Sequence, residues 1–581
     1  MTRVLITTAL PYINGVKHLG NLVGSMLPAD VFARFMRARG HETLYICATD
    51  EHGTPAELAA LEAGQDVATY CAEQHEIQKR LGAGFEFSWD YFGRSSSRQN
   101  REITQGLARA LWQNGHLEVR VTRQVYSNAE KRFLPDRYVI GTCPYCGYER
   151  ARGDQCENCT RVLDPTDLKN ARSALSGSAD IEIRDSAHLF LKQSAFVPKL
   201  REWIDGHASD WSPLVTSIAR KWLDEGLQDR GITRDLEWGV PVPDDIAGGQ
   251  LKGKVFYVWF DAPIEYIGAT KEWSDLNGTG ELWRDWWTER GEADPKHVRY
   301  VEFMGKDNVP FHTVGFPCTL FGANESLAEG QQWKIVDQIK GFNWLNYYGG
   351  KFSTSGKRGV FMDAALEIMP ADYWRYYLMA NAPEGADTNF TWEHFASVVN
   401  KDLADVLGNF VNRVTKFCAA RFDGKLPGEG AYGVEEQQLC FQLDTLIAEY
   451  TDHLERMEFR KALASLRAVW VAGNEYLTKA APWTHIKTDR AKAAVGVRMG
   501  LNLVHLFGHL SWPVIPHAAR VIHEAIQPAP AVIPWPGPGT FAAEFLDQLT
   551  PGQPIAAPPV LFAKITDEQI AEWKARFGGE D

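Results

Sequence analysis

Four of the nine cysteines stand in two C-x-x-C pairs, Cys143 with Cys146 and Cys156 with Cys159. Because four thiolates at this spacing can surround one ion tetrahedrally, the pattern predicts a compact zinc knuckle within residues 140–162. All four positions would be filled by protein, so the predicted zinc is structural. Two disulfides are the alternative, which is disfavoured because no other feature is typical of a secreted protein.

A second group of residues could bind phosphate at the start of a helix. His18-Leu-Gly-Asn21 lies between an apolar strand, Val4–Ala9, and a helical pattern over residues 19–36. Backbone N–H groups at a helix N-terminus attract phosphate, and the imidazole and amide side chains add donors. Gly20 would let a ligand approach the backbone. Taken alone, the motif is better read as an ordinary helix start with a surface histidine.

A third group forms a cationic loop rich in hydroxyl groups. Lys351-Phe-Ser-Thr-Ser355 follows two glycines, and Lys357 and Arg358 come directly after it. Such a loop can close over a polyphosphate and stabilise charge on a leaving group. A solvated surface loop is the simpler interpretation when this segment is considered alone.

The elements around these groups predict an α/β protein. A strand over residues 43–48 follows the first helix, which makes a βαβ unit of a parallel sheet. Further strand-like runs stand at residues 255–259 and 298–303. The pattern is helical from about Trp392 to Ile526, a Pro- and Gly-rich tail follows, and a short helix is expected at residues 566–577.

The composition limits the classes of protein. The chain has 581 residues, too many for one core, and a net charge of −13. The charge argues against a general nucleic-acid binder but leaves room for binding one structured RNA through local basic surfaces. We find no signal peptide pattern and no apolar run of transmembrane length. With the unpaired pattern of the other cysteines, this predicts a cytoplasmic protein without membrane association.

The two phosphate-binding motifs together carry a family resemblance. H-L-G-N resembles the H-I-G-H signature of class I aminoacyl-tRNA synthetases, and K-F-S-T-S resembles their K-M-S-K-S loop. The segments at residues 9–15, 48–55, 258–266 and 303–312, with the cysteine knuckle, are similar to the methionyl-tRNA synthetase family over about the first 530 residues.

The resemblance implies an activity and its partners. The family activates methionine with ATP and Mg²⁺, releases pyrophosphate, and transfers methionine from the adenylate to the 3′-terminal adenosine of tRNA(Met), including initiator tRNA. Two rivals stay open. One is a class I synthetase for another apolar amino acid, although the insertion scarcely has room for an editing domain. The other is a zinc-knuckle tRNA-binding protein without catalysis.

The resemblance also implies site residues. The implied catalytic residues are His18, Asn21, Lys351 and Lys357. The implied ATP-binding residues are His18, Gly20, Asn21, Asp307, Lys351 and Thr354. Two residues depart from the family pattern: Asn21 replaces the second signature histidine, and Thr354 replaces the second signature lysine. Lys351, Lys357 or Arg358 could supply the missing charge.

The implied methionine pocket combines apolar walls with two charged groups. Four of its residues are spaced to share one helix face. Asp50 would pair with the substrate ammonium, and Arg234 would lie near its carboxylate. The pocket residues are Leu10, Tyr12, Asp50, Arg234, Trp259, Ala262, Pro263, Tyr266, Phe311 and His312.

In the helical half, the resemblance implies that three residues read the CAU anticodon. Asn409 and Arg413 are four residues apart on one helix face, and Trp483 could stack on an unpaired base. A surface pair and a core tryptophan are the alternative without the family match.

The predicted architecture is a Rossmann-type parallel-sheet catalytic domain, split by a zinc-knuckle insertion and followed by an α-helical anticodon-binding bundle. The predicted boundaries are 1–118 and 231–330 for the catalytic halves, 119–230 for the insertion, 331–391 for the signature-loop region, 392–526 for the bundle and 527–581 for the tail. A monomer is expected, because only a Pro-rich tail follows the helices.

Overall fold

The structure is a computed structural model that describes residues 2–153, 156, 158–159, 161, 163–353, 358–528, 530–537 and 545–578. The chain begins with the predicted strand–helix–strand unit. Its first elements are β1 (Arg3–Thr8), α1 (Leu19–Asn21), a π-helical turn (Leu22–Met26), α2 (Leu27–Ala38), β2 (Glu42–Thr49), α3 (Thr54–Glu62), α4 (Val67–Gly84), β3 (Tyr91–Arg94) and α5 (Arg98–Gln113). Helix α2 ends where expected, because Gly40 at φ +81° adopts the left-handed conformation that terminates helices.

A long antiparallel ribbon follows these elements and carries a small module. The elements are β4 (Leu117–Ser127), β5 (Arg132–Phe133), β6 (Val139–Thr142), β7 (Ala151–Arg152), β8 (Lys169–Ser173) and β9 (Ile181–Leu191). Strands β4 and β9 pair along their whole length, with Leu117 opposite Leu191 and Ser127 opposite Ile181. Strands β6, β7 and β8 form a three-stranded sheet beside the four cysteines. This confirms the predicted inserted module.

The chain returns to the body through α6 (Val197–Gly206), α7 (Pro213–Asp224), β10 (Arg230–Gly231) and β11 (Thr233–Arg234). These residues fall within or next to the predicted insertion range of 119–230. Leu200 of α6 and Val215 of α7 are fully buried in the same apolar cluster as Leu5 of β1. The two helices therefore pack on the parallel sheet. The predicted domain boundaries themselves stay predictions.

The strand predicted over residues 255–259 is wrong beyond its first two residues. Only β12 (Val255–Phe256) is extended, and it pairs with β11 in a two-stranded ribbon outside the central sheet. Helix α8 (Val258–Leu276) starts directly after it. A short apolar run of β-branched and aromatic residues fits a buried helix as well as a strand, and here packing against α5 and β3 decides for the helix.

The next part of the chain completes a five-stranded parallel sheet. Its elements are α9 (Trp283–Trp287), β13 (Val298–Gly305), a π-helical turn (Phe311–Gly315), α10 (Phe316–Asn324) and β14 (Gln338–Phe342). The spatial strand order is β14-β13-β1-β2-β3. The order reverses direction between β1 and β13. Ligands of such sheets bind at the carboxyl ends of the strands beside this switch point.

A small mixed sheet and a helical domain follow. The elements are β15 (Leu345–Tyr347), β16 (Gly350–Lys351), α11 (Met362–Ile368), α12 (Ala371–Ala380), β17 (Thr388–Phe390), α13 (Trp392–Val398), a π-helical segment (Val399–Gly408), α14 (Asn409–Arg421), α15 (Val434–Glu455), α16 (Phe459–Ala480), α17 (Pro482–His485), α18 (Arg490–Ser511) and α19 (Pro516–Ile526). The helical run begins at Trp392 and ends at Ile526, as predicted.

The tail crosses the helical domain and closes with α20 (Asp567–Phe577), the predicted terminal helix. Thr566 caps this helix by accepting a hydrogen bond from the backbone of Gln569. Trp573 of α20 is buried and lies 5.1 Å from the ring of Trp392. Helix α20 is thus packed against the first residue of the helical domain.

One continuous apolar cluster joins the sheet to the helical domain. Val4 and Ile6 of β1 and Leu466 and Trp470 of α16 all belong to it. None of the helices in the described part of the chain is long and apolar enough to cross a membrane.

Candidate functional site

A cleft of about 900 Å³ opens at the switch point of the parallel sheet. Its walls come from the segments after β1, β2 and β13, from the start of α8, and from β16. The predicted residues that line it are Leu10, Tyr12, His18, Gly20, Asn21, Asp50, Arg234, Trp259, Ala262, Pro263, Tyr266, Asp307, Phe311, His312 and Lys351. The predicted residues Thr354 and Lys357 lie outside the described residues.

His18 and Asn21 form one hydrogen-bonded unit at the start of α1. The backbone N–H of Asn21 donates to Nδ1 of His18 at 3.3 Å, and the backbone N–H of His18 donates to the Asn21 side-chain oxygen at 3.1 Å. Burial, with a smaller effect of Lys17, lowers the pKa of His18 to about 3. The ring is therefore neutral, and its proton is on Nε2. The arrangement offers neutral donors at a helix N-terminus.

Gly20 leaves space beside the His18 ring at the start of α1. A Cβ atom at this position would stand 3.1 Å from Nδ1 of His18 and 3.6 Å from the ring of Phe352. The His18 ring also stacks on Phe352, with 5.0 Å between ring centroids. A larger residue at position 20 would push the imidazole out of place.

Asp50 supplies a buried carboxylate at the floor of the cleft. Its backbone continues the pairing of β1 with β2, because Asp50 N–H donates to Pro11 O at 2.9 Å and Ile13 N–H donates to Asp50 O at 3.0 Å. Burial, then the nearby Asp261 and Glu51, raise the pKa of Asp50 well above its usual range. Among the described residues, Oδ1 of Asp50 is buried without a hydrogen-bond partner. A cationic ligand would satisfy this atom.

The two residues after Asp50 hold the floor in place. Arg94 donates to both carboxylate oxygens of Glu51, at 2.8 and 3.0 Å. Nδ1 of His52 lies 2.6 Å from Oδ2 of Asp261 on α8. Glu51 and Asp261 are thus each held by a partner, whereas Oδ1 of Asp50 is not. These supporting roles were not predicted, although both residues stand in the segment that carries the family resemblance.

An aromatic pocket adjoins Asp50. Trp259 stacks on Phe311 with 3.7 Å between ring centroids, and Tyr12 meets Trp259 edge-on at 6.0 Å. Because Trp259, Ala262, Pro263 and Tyr266 all lie on α8 and all line the cleft, the predicted shared helix face is present. Apolar and aromatic walls of this kind suit a flexible, polarisable side chain.

Tyr266 and His312 form a fixed polar pair within this pocket. Nδ1–H of His312 donates to the Asn308 carbonyl at 2.9 Å, so its Nε2 accepts from the Tyr266 hydroxyl, also at 2.9 Å. Burial lowers the pKa of His312 to about 4, which keeps the ring neutral. The pair adds hydrogen-bonding groups to the pocket without adding charge.

Arg234 and Asp307 are two further charged residues that line the cleft. Arg234 is held by Asp136, with 2.9 Å between Nε and Oδ2, and its guanidinium lies 3.8 Å from the centre of the Tyr257 ring. Asp307 follows β13, and burial raises its pKa. The charge of Arg234 is thus partly balanced before any ligand binds.

Two lysines bring positive charge to the cleft. Nζ of Lys351 lies 4.2 Å above the ring of Trp344, at the base of the signature loop. Lys17 was not predicted, although it stands directly before the H-L-G-N motif. Its Nζ donates to Asn14 at 3.1 Å, and burial lowers the pKa of Lys17 to about 7, against the opposing effect of Asp50. An anionic ligand would restore its charge.

The four knuckle cysteines converge at the tip of the ribbon. The sulfur atoms of Cys143 and Cys159 are 3.9 Å apart, and those of Cys146 and Cys156 are 3.6 Å apart. Metal–sulfur bonds of about 2.3 Å in a tetrahedron put sulfur atoms roughly 3.8 Å apart, so the cluster fits a metal ion. Hydrogen bonds from the Tyr148 backbone and the Asn158 side chain lower the pKa of Cys146 to about 6.

The three predicted anticodon residues lie on one side of the helical domain. Asn409 and Arg413 are on α14, and the Arg413 guanidinium lies 4.5 Å from the centre of the Trp483 ring on α17. Trp483 is 39% exposed, so it is not the core tryptophan of the alternative interpretation. Asn409 is exposed as well. The structure thus brings a cation, an aromatic face and an amide to the surface.

Comparisons with known proteins give one consistent result. A family model described as tRNA synthetases class I (M) matches residues 4–415, and one described as the anticodon binding domain of methionyl tRNA ligase matches residues 426–581. The methionine–tRNA ligase of Streptomyces avermitilis is 59% identical over 580 residues, and that of Caulobacter sp. strain K31 is 60% identical over 585 residues. In both cases 100% of each chain is covered.

Solved structures agree at the level of the fold. Mycobacterium tuberculosis methionyl-tRNA synthetase in complex with methionyl-adenylate gives a TM-score of 0.76 at 24% identity, covering 97% of this chain and 100% of that one. The same protein without ligand gives a TM-score of 0.70 at 22% identity. These similarities show a shared fold over nearly the whole length.

Proposed function

Because the chain belongs to the methionine–tRNA ligase family of class I aminoacyl-tRNA synthetases, we propose specific roles for the residues of its cleft. The reaction has two steps. A carboxylate oxygen of methionine attacks the α-phosphorus of ATP in line, the bond to the bridging oxygen breaks, and pyrophosphate leaves. The ribose hydroxyl of the terminal adenosine of tRNA then attacks the methionyl carbonyl carbon, and AMP leaves.

The buried, unpartnered carboxylate of Asp50 is the single observation that carries the placement of methionine. Asp50 lines the same cleft as the aromatic pocket, and its Oδ1 is buried with no hydrogen-bond partner among the described residues. The substrate ammonium would pair with it, which would also restore its charged form against the raised pKa. The methionine side chain would then extend between Trp259, Tyr266 and His312.

The phosphate groups of ATP would lie at the start of α1. His18 donates from Nε2, the Asn21 amide group remains a donor, and Gly20 leaves room for the ligand. Asp307, at the end of β13, would accept hydrogen bonds from the ribose hydroxyls. Lys351, Thr354 and Lys357 would contact the leaving pyrophosphate, and Mg²⁺ would arrive with ATP. No protein nucleophile is required, because catalysis here is positioning and charge stabilisation.

The remaining assignments follow from the family and the geometry. The four-cysteine knuckle would hold one structural zinc, since four thiolates at this spacing favour that ion. Asn409, Arg413 and Trp483 would read the CAU anticodon of tRNA(Met), including the initiator tRNA. A monomer and a cytoplasmic location stay predictions. The rivals, a ligase for another apolar amino acid and a non-catalytic tRNA-binding protein, do not agree with full-length relatives named methionine–tRNA ligase.

Replacing Asp50 by Asn tests the placement of methionine. Removing one partner of a buried charge pair costs roughly 2–5 kcal/mol, so the KM for methionine should rise about 30-fold or more in pyrophosphate exchange. The KM for ATP should change little, because Asp50 is assigned to the amino acid alone.

Asp245→Asn is the matched control for this variant. Asp245 is exposed and pairs with Arg109 outside the cleft, so its loss should leave both constants unchanged. A folded Asp50→Asn protein with a normal KM for methionine would contradict the proposed role of Asp50. The family assignment would not be affected, because methionine-dependent exchange activity would still support it.

A further inference from the structure

Three histidines converge inside the helical domain, far in sequence from the cysteine knuckle. His505 and His509 are one turn apart on α18, and His523 lies on α19. All three are buried, and one ligand nitrogen from each lies within 4.8 Å of the others. Histidines at i and i+4 share a helix face, which is a common arrangement for two ligands of one metal ion.

The nitrogen atoms of this cluster are largely unpaired. In the part of the chain that the structure describes, Nδ1 of His505 and both ring nitrogens of His523 are buried without a hydrogen-bond partner. Burying a polar atom without a partner is costly, and three such atoms in one cluster require an explanation. A metal ion would satisfy one nitrogen on each ring.

His509 shows the hydrogen bond expected of a metal ligand. Its Nδ1–H donates to the backbone carbonyl of His505 at 3.1 Å. This bond fixes the tautomer and leaves the lone pair of Nε2 for a ligand bond, as in histidine ligands held by a backbone carbonyl. Burial lowers the pKa of all three histidines, so the rings are neutral and their lone pairs are available.

We propose that His505, His509 and His523 bind one divalent transition-metal ion, with zinc as the expected occupant. Neutral imidazoles suit zinc and its neighbours, whereas Mg²⁺ and Ca²⁺ prefer oxygen ligands. Metal–nitrogen bonds of about 2.0–2.1 Å in a tetrahedron put ligand nitrogens roughly 3.4 Å apart, and the three nitrogens here lie within 4.8 Å of one another without an ion. A water molecule can complete the tetrahedron.

The proposed site lies where three segments of the chain meet. It links α18 to α19, and the ring of Phe545 from the tail packs on His505 and His509 at 5.1 and 4.6 Å. Arg375 of α12 donates to the carbonyls of Pro513 and Val514 in the turn between the two helices. It also donates to Oδ2 of Asp30 on α2, so it connects this turn to the parallel-sheet domain. The proposed site is therefore a structural clamp next to the contact between the two domains.

Zinc content of the full chain tests the proposal. The protein is stripped with a chelator, reloaded with Zn²⁺ alone and freed of excess metal, and zinc per chain is then measured. We expect two zinc ions in the unchanged protein, one in the knuckle and one at the histidines. His523→Gln should retain one. The matched control is His517→Gln, on the same helix but 64% exposed, and it should retain two.

A second variant separates the two sites. Cys143→Ser with Cys146→Ser removes the knuckle site, and this protein should still bind one zinc and unfold at a higher temperature with zinc than without it. Adding His523→Gln should abolish both effects. A single zinc in the unchanged protein, two in His523→Gln, or none in a folded knuckle variant would each overturn the proposal. If His523→Gln does not fold, the zinc content of the knuckle variant decides.

Discussion

His18 and Asn21 show how one residue change alters a signature without removing its chemistry. Asn21 stands where the family pattern has a second histidine, and its side-chain oxygen accepts from the backbone of His18. The same side chain keeps an N–H₂ group that can donate to phosphate. A histidine at this position could become cationic, but Asn cannot. Without that charge, more of the positive charge near the phosphates would have to come from the lysines of the cleft and the loop.

We expect Lys357 to supply this positive charge, because the threonine at position 354 cannot. Lys357→Ala should slow adenylate formation by roughly 2.7–4 kcal/mol in kcat, the usual cost of removing one donor aimed at transition-state charge. The KM for methionine should change little, since the contact strengthens only in the transition state. Pyrophosphate exchange measures both constants.

Two further variants sharpen this test. Thr354→Lys in the Lys357→Ala background should restore part of the rate, and Lys401→Ala, an exposed lysine of the helical domain, should be neutral. Normal exchange in Lys357→Ala would shift the role to Lys351 or Arg358.

Single residues of the site were predictable mainly through the family motifs. The fifteen described residues predicted for methionine and ATP all line one cleft, although their individual roles stay predictions. The supporting residues were not predictable, because Glu51 and His52 act through Arg94 and Asp261, which are distant in sequence. Lys17 is not predictable from the sequence, because a lysine beside a motif is usually a surface charge, whereas this one is buried.

At the scale of elements, helix α17 presents the tryptophan assigned to tRNA. Ala481, between α16 and α17, has φ +37°, a strained left-handed conformation for a residue other than glycine. This sharp turn lets α17 start at Pro482 and brings Trp483 to the guanidinium of Arg413. Backbone strain of this kind is often retained where it positions a functional group.

Replacing Trp483 by Ala should weaken tRNA charging and leave pyrophosphate exchange nearly unchanged. Loss of a stacking platform for a base costs roughly 1–3 kcal/mol, and the tryptophan is remote from the cleft. Aminoacylation and exchange rates, measured side by side, give the comparison. Phe441→Ala is the control, because Phe441 is 75% exposed on α15 without an assigned role. Equal damage to both assays would identify Trp483 as a folding residue.

Helices and strands with a clear hydrophobic period or clear capping residues were predictable from the sequence. Elements whose type is decided by tertiary packing were not. Helix α20 was predicted within one residue, because its cap and amphipathic pattern are local. The run at residues 255–259 predicts a strand, but its apolar side chains do not distinguish a strand from a buried helix. The full-length pairing of β4 with β9 spans more than fifty residues of intervening chain, so no local pattern reveals it.

On the scale of the whole molecule, a buried charge cluster ties the helical domain to the catalytic body. Arg375 of α12 is fully buried and contacts Asp30 of α2 at 2.7 Å, the Phe85 carbonyl, and the turn after α18. Arg34 also pairs with Asp30, at 2.9 Å. Burial alone would raise the pKa of Asp30, but the two arginines and Ser88 outweigh it and lower the pKa to about 2.

This cluster predicts a defined loss of stability at low pH. Since the pKa of Asp30 is lower in the folded chain than in the unfolded one, its contribution is complete above about pH 4 and is lost as the pH falls through 2. The contribution is about 2–3 kcal/mol. Arg375→Met should cost roughly 3–5 kcal/mol at pH 7 and move the acid loss to higher pH.

Urea unfolding at a series of pH values measures this effect. Arg109→Met, which breaks an exposed pair with Asp245, should change stability by less than about 1 kcal/mol. Equal unfolding midpoints for Arg375→Met and the unchanged protein would show that the cluster does not hold the domains together.

The central claim is that this cleft activates methionine, and amino-acid-dependent exchange of pyrophosphate into ATP tests it most directly. Methionine should support the fastest exchange, because the Trp259, Tyr266 and His312 pocket suits a polarisable thioether and Asp50 is the residue proposed to pair with the ammonium. Leucine and isoleucine should be slower by about 1–3 kcal/mol, the discrimination that an apolar pocket gives for small differences in side chain. Faster exchange with leucine or isoleucine than with methionine would contradict the account.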